Sequence, residues 1–318
     1  MTFAPRQFPI TYGLCLYHWG RAELEFALGL AEDLLKVTDS KDDDAEAVMA
    51  ANNMCGMIKL SQGDVQAARA HLERSVARYD PQRDAALYPI YMMDFGVFGR
   101  YYLALATLIT GDEELASQHA YDAHELAGRL NQPHTLGFSM LAICTIALLR
   151  DQPALARQYS EQCIEFSSLM GFSEFIGMAR IARGWATARD GQLAIGLEDM
   201  EAGIRLWQAT GFENWQAWFA SLRAELLMEL GRSEEALHDV ELHLDRTNRS
   251  GENLFRSLLL AQKARLLSAD PAAKEKVERL LGETHDTALA QHAVAWMQKI
   301  EGRRSAISNE TMKRSRAN

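Results

Sequence analysis

Residues 104–116 read ALATLITGDEELA. Gly111 marks a helix end, because a helix C-terminus commonly needs a residue in the left-handed region. Small residues stand seven positions before it and five after it, at Ala104 and Ala116. The same layout recurs in SQGDVQAA (61–68), LRDQPALA (149–156), RDGQLAIG (189–196) and ELGRSEEA (229–236). Around their breaks the earlier small position holds Gly56, Cys144, Gly184 and Ala224, and the later one Ala68, Ala156, Gly196 and Ala236. Small side chains at both places let two antiparallel helices approach closely, so each segment reads as the turn of a helical hairpin.

The breaks set the period. Gly111, Asp151, Gly191 and Gly231 are spaced evenly, with Asn131, Gly171 and Gly211 midway between them and Gly251 continuing the series. Each interval holds a helix of about 16 residues, roughly 24 Å long, and a short connection. Cys15 and Ala27 fit the small positions around an earlier break near Ala22. The pattern predicts an all-α, right-handed α-α superhelix of about six to seven hairpins, with the last pair covering Glu252–Leu267 and a helical stretch to about Ile300. One solenoid domain is expected over 1–300, interrupted by an irregular insertion at 79–98 (YDPQRDAALYPIYMMDFGVF) that is rich in aromatics and methionine. Extra length in a solenoid maps to one edge, so this segment is expected beside the binding surface, as a contact surface or folded over the groove.

Charge narrows the partner classes. The formal net charge is −10, and the segment 303–318 holds five basic residues against Glu310. The rest of the chain therefore carries roughly −14, a body that repels phosphate backbones. No nucleic-acid partner is expected, and the tail 301–318 reads as a basic, disordered end. No apolar run approaches a membrane span and the N-terminus lacks secretory character, so a cytoplasmic protein with no membrane partner is expected.

The sequence carries little chemistry. Cys15, Cys55, Cys144 and Cys163 occupy or adjoin small positions and read as packing residues. His119 and His124 with Asp122, and His238 and His243 with Glu241, have a spacing of five that suits no single helix face, so no metal is expected. Asp42–Asp44 reads as an acidic helix cap rather than a calcium loop. There is no phosphate-binding loop and no nucleophile elbow. The expectation is a non-catalytic chain without cofactors.

The paired small residues and tight turns resemble the tetratricopeptide repeat, with a period of forty in place of thirty-four. Segments such as LERSVARYDPQRDAAL, FGRYYLALATLITGD, ARGWATARDGQ and GIRLWQATG look like the C-terminal repeat regions of bacterial signalling proteins, where they follow a class III nucleotide cyclase domain and a STAND-type ATPase. Neither of those domains is visible in this sequence, which reads as a freestanding relative or a piece of a longer regulator. The resemblance implies that the first helix of each hairpin lines a concave face. Stacked at the forty-residue period, these helices give a polar column (Asp94, His134, Glu174, Asn214), a neighbouring one (Phe95, Thr135, Phe175, Trp215) and a bulky apolar one (Phe98, Phe138, Met178, Trp218). Asp94, Phe98, Tyr101, His134, Phe138, Glu174, Phe175, Met178, Asn214, Trp215 and Trp218 form the candidate partner-binding surface, unless the apolar column only packs adjacent hairpins.

The first functional expectation is a regulatory or signalling scaffold, an adaptor that binds a protein or peptide partner on that face. The alternative is a small-molecule-sensing module with a pocket at Phe138, Met178, Trp185 and Trp218. An enzyme would have to rest on His134 and Glu174, the one acid–base pair in the column. The lysine and arginine partners of a carboxylate clamp are missing around Asn52 and Asn53. Apolar faces on the terminal hairpins suggest a possible homodimer.

Overall fold

The computed structural model describes residues 7–39 and 44–298. Among these residues there are seven helical hairpins and no strand. The hairpins are α1 (Gln7–Gly20) with α2 (Leu24–Asp39), α3 (Ala45–Gln62) with α4 (Val65–Arg78), α7 (Phe95–Ile109) with α8 (Glu113–Leu130), α9 (Pro133–Leu149) with α10 (Pro153–Met170), α11 (Ser173–Arg189) with α12 (Leu193–Ala209), α13 (Gln216–Glu229) with α14 (Ser233–Ser250), and α15 (Arg256–Leu267) with α16 (Lys274–Ala290). Two one-turn helices, α5 (Pro81–Asp84) and α6 (Tyr88–Tyr91), lie between the second and third hairpins. The expected tail, 301–318, lies outside the described residues, as do Asp42 and Asp43.

Local chemistry explains where the helices start and stop. Asp44, Asp64, Asp94 and Asp112 cap α3, α4, α7 and α8, each accepting the N–H three residues on. Each such cap stabilises its helix by about 1 kcal/mol. Pro133 and Pro153 open α9 and α10, where the missing N–H costs nothing. At the turn of the second hairpin Gly63 adopts φ +87° and returns its N–H to the carbonyl of Leu60. Asp151 takes the equivalent left-handed conformation without being glycine.

The small positions do what their spacing implied. A Cβ on Gly56 would lie 2.5 Å from the Leu72 side chain. In the α11–α12 hairpin the contact is backbone to backbone: a Cβ on Gly184 would meet the Gly196 carbonyl at 2.5 Å, and one on Gly203 would meet that of Gly177 at 2.6 Å. Cys15 places its sulfur 3.0 Å from the Ala27 carbonyl. All four cysteines are buried free thiols.

The superhelix closes on itself. The Gly20 carbonyl, at the turn of the first hairpin, accepts the N–H groups of Glu213 and Asn214 in the connection between α12 and α13. The Ser61 carbonyl, at the turn of the second hairpin, accepts those of Asn253 and Leu254 between α14 and α15. Gly111, at the turn of the third, packs against Val294. The first two turns thus rest on connections about 190 residues further along, and Arg21 reaches the Gly211 carbonyl across the same separation. The small rotation between hairpins has accumulated into one superhelical turn. Buried apolar side chains form one cluster from Phe8 to Trp296.

The insertion folds inward over this closure. Tyr91 donates its hydroxyl to Glu46 at 2.7 Å, and the Tyr12 hydroxyl lies 2.8 Å from the Met93 sulfur. The Tyr12 ring meets those of Tyr91 and Phe95 edge-on. Among the described residues no helix is long and apolar enough to cross a membrane.

Candidate functional site

The inner face of the superhelix encloses a cavity of about 230 Å³. Eight of the residues expected on the concave face line it: Phe98, Tyr101, His134, Phe138, Glu174, Phe175, Met178 and Trp215. The apolar column is buried, with Phe98 6%, Phe138 7%, Met178 7% and Trp218 2% exposed. Phe98 and Phe138 stack face to face, 3.7 Å between centroids, and Tyr101 meets Phe138 edge-on at 4.9 Å. The rings of successive hairpins therefore pack on one another, leaving room for a compact group rather than an extended chain.

The remaining three expected residues do not line the cavity. Asp94 is the α7 cap and accepts the Tyr79 hydroxyl at 2.8 Å. Burial raises its pKa, against the opposing pull of that hydroxyl and of the Val97 and Gly96 N–H groups. Asn214 is fastened through its backbone to Gly20, and its side-chain amide is buried without a hydrogen-bond partner. Trp218 stacks on Phe255 of the next hairpin at 5.5 Å. Trp185, named for a small-molecule pocket, is buried two turns further along α11, where Arg189 lies over its ring.

His134 and Glu174, in the first turns of α9 and α11, stand at the mouth, about a quarter exposed, with Nε2 and Oε1 3.6 Å apart. That distance is too long for a hydrogen bond but short enough for mutual attraction. Burial works to raise the Glu174 pKa, yet His134 and the residue's own backbone N–H outweigh it and hold the carboxyl below its usual range. The carboxylate is therefore ionised at neutral pH, and the helix N-terminus favours that charge. Among the described residues no group of three His, Cys, Asp or Glu side chains could hold a metal ion.

Other lining residues come from across the closure. Leu16, Trp19 and Met57 belong to the first two hairpins, Trp207 and Phe212 to the end of α12 and its connection, and Tyr91, Met92 and Met93 to the insertion. The insertion lies beside this face, where extra length was expected; stacking the sequence at forty residues aligns neighbouring hairpins only, so it misses Leu16, Trp19, Met57, Trp207 and Phe212, for which the sequence carries no local signal.

No family model matches the chain, and no curated protein matches its sequence. Solved structures do. A Rap protein complexed with competence and sporulation factor superposes with a TM-score of 0.60 at 12% identity, covering 97% of this chain and 78% of that one. Aspartyl phosphate phosphatase F from Bacillus subtilis does so with a TM-score of 0.52 at 12% identity, covering 96% and 95%. At that identity the likeness is one of fold: this chain is an all-α superhelical solenoid of tetratricopeptide-like hairpins.

Proposed function

We propose that the protein is a non-catalytic regulatory scaffold that binds a protein or peptide partner through the inner face of the superhelix. The observation that carries this reading is the apolar cavity in that face, with an ionised carboxylate at its mouth. A partner inserts one bulky anchor there and spreads its remaining contacts over the surrounding surface, as interfaces with a few dominant residues do. A fold shared with a Rap protein that was crystallised in complex with competence and sporulation factor supports it. Affinity capture tests the reading, with wild type beside Met178→Trp, which fills the cavity, after circular dichroism shows that both fold. Partners held by wild type and lost from the variant are expected; the same partners on both would sink the proposal.

A second reading, a small-molecule sensor within a cyclase- or STAND-type signalling system, draws support from the closure. Carbonyl clasps at Gly20 and Ser61 enclose a volume suited to a compact ligand. A metabolite that raises the melting temperature where no peptide does would favour it. Self-association is a further expectation. Ile10, Leu14 and Tyr17 form an exposed apolar ridge on α1, and a monomer in light scattering at high concentration would count against a homodimer.

A further inference from the structure

We infer that the cavity takes an aromatic ring that carries a protonated amine on a short arm, the ring against Phe98, Phe138 and Trp215 and the ammonium on Glu174. The inference rests on the reading of the inner face as the binding surface, and it names the chemistry of the anchor.

Size sets the first limit. An apolar cavity of about 150 Å³ takes up benzene, so 230 Å³ accommodates one ring with a short side arm. A larger ligand would need the stacked Phe98–Phe138 pair to part. The lining is aromatic on several sides, and ring faces attract a cation.

Charge sets the second. No lysine or arginine lines the cavity; its one carboxylate is Glu174, beside the imidazole of His134. An anion of the right shape would meet an ionised carboxylate, with no lysine or arginine in the lining to offset the repulsion. A neutral ring would fill the space but take water from the carboxylate and return no charge to it. The side-chain partner of Glu174 is His134, whose Nε2 lies 3.6 Å from Oε1, a loose contact that lowers the carboxyl's pKa. An ammonium supplies the donor, the charge and the fit together.

This chemistry has two sources. One is a free arylalkylamine. The other is a polypeptide whose first residue is aromatic, because its α-amino group stands at the same distance from the ring.

Trp19, Trp207 and Trp215 line the cavity, so occupancy is read as a change in tryptophan fluorescence. The probes share one ring: 2-phenylethylamine, the neutral 2-phenylethanol, the anionic 3-phenylpropionate, and the peptide Phe-Gly-Gly with a free or an acetylated N-terminus. Phenylethylamine or the free peptide is expected to bind at least about tenfold more tightly than the alcohol, the worth of one charge-assisted bond, and the anion most weakly. Glu174→Gln is expected to erase the preference while retaining the alcohol. The tighter of the two cationic probes identifies the source. Equal binding of amine and alcohol, or a preference that survives in Glu174→Gln, overturns the assignment while leaving the inner face as a binding surface. No saturable response from any probe also overturns it, and partner capture against Met178→Trp then decides the broader reading separately.

Discussion

The carboxylate of Glu252 accepts the backbone N–H of Trp215 at 2.5 Å, across 37 residues of sequence. Trp215 occupies the left-handed region at φ 68°, an unfavourable conformation for a bulky residue. The bond joins the connection clasped to Gly20 with the one clasped to Ser61, and Glu252 is almost wholly buried. Burial lifts its pKa to about 7, against the Trp215 N–H and the charges of Arg246 and His243.

A pH dependence follows. At low pH both folded and unfolded chains hold the Glu252 proton, and burial carries no charge penalty. As pH rises from the ordinary 4.5 to about 7, the unfolded chain releases that proton while the folded chain keeps it, so stability falls. Above about 7 the folded state releases it too and the loss levels off. Its full size is about 3 kcal/mol. Glu252→Gln keeps an acceptor for Trp215 without the charge. Its melting temperature relative to wild type is expected to be higher at about pH 8 than at about pH 5, and an equal difference at both would refute the account.

The glycine seam between α11 and α12 gives a paired test. Gly184→Ala places a methyl group against the Gly196 carbonyl and the Met200 N–H, at 2.5 and 2.6 Å. Neither is a flexible side chain that could move aside. A loss of about 1–3 kcal/mol is expected in denaturant unfolding. Gly128 lies in α8 with nothing near its Cβ direction, so Gly128→Ala is expected to gain up to about 1 kcal/mol through helix propensity.

The clasps are open to hydrogen exchange. The amides of Glu213, Asn214, Asn253 and Leu254 are bonded outside any helix, to carbonyls in distant turns. They are expected to be protected in the wild type. Gly20→Leu, which would drive a side chain into the Phe212 ring, is expected to strip protection from Glu213 and Asn214 while helix amides of α9 and α10 keep theirs. Unchanged protection at the two connection amides would show that the closure does not depend on this contact.

The thiols should be inert. Burial pushes Cys55 and Cys163 up to about 12, so the reactive thiolate is scarce at neutral pH. A thiol reagent is expected to titrate none of the four cysteines in the native protein and all four in denaturant. Fast labelling of any one in the native state would contradict the burial described.

What the sequence reveals divides by range. Helix ends and hairpin seams depend on residues close in the chain, so Gly111, Ala104, Ala116 and the Gly184–Gly196 contact could be read from spacing. The stacked column of Phe98 and Phe138 was readable for the same reason, because adjacent hairpins repeat at a fixed step. Closure depends on a small rotation summed over several hairpins, which no local pattern encodes. Spacing therefore does not reach Trp19, Trp207 and Phe212, and it puts Trp185 and Trp218 at a pocket they do not line. Asp94 looked like a recognition residue because its period matched His134 and Glu174, yet the same position in α7 serves as a cap.

In an open array each repeat touches only its neighbours, so stability is roughly a sum of local terms and melting can begin at an end and spread. Here Gly20, Ser61 and Gly111 draw partners from residues about 190 positions away. Those contacts raise the mean sequence separation of the native interactions, which slows folding. They also remove the cheapest partial unfolding route, because loosening the first hairpin breaks bonds held by the sixth. The expected behaviour is that of one cooperative unit, with a single sharp transition where an open solenoid of this length would fray.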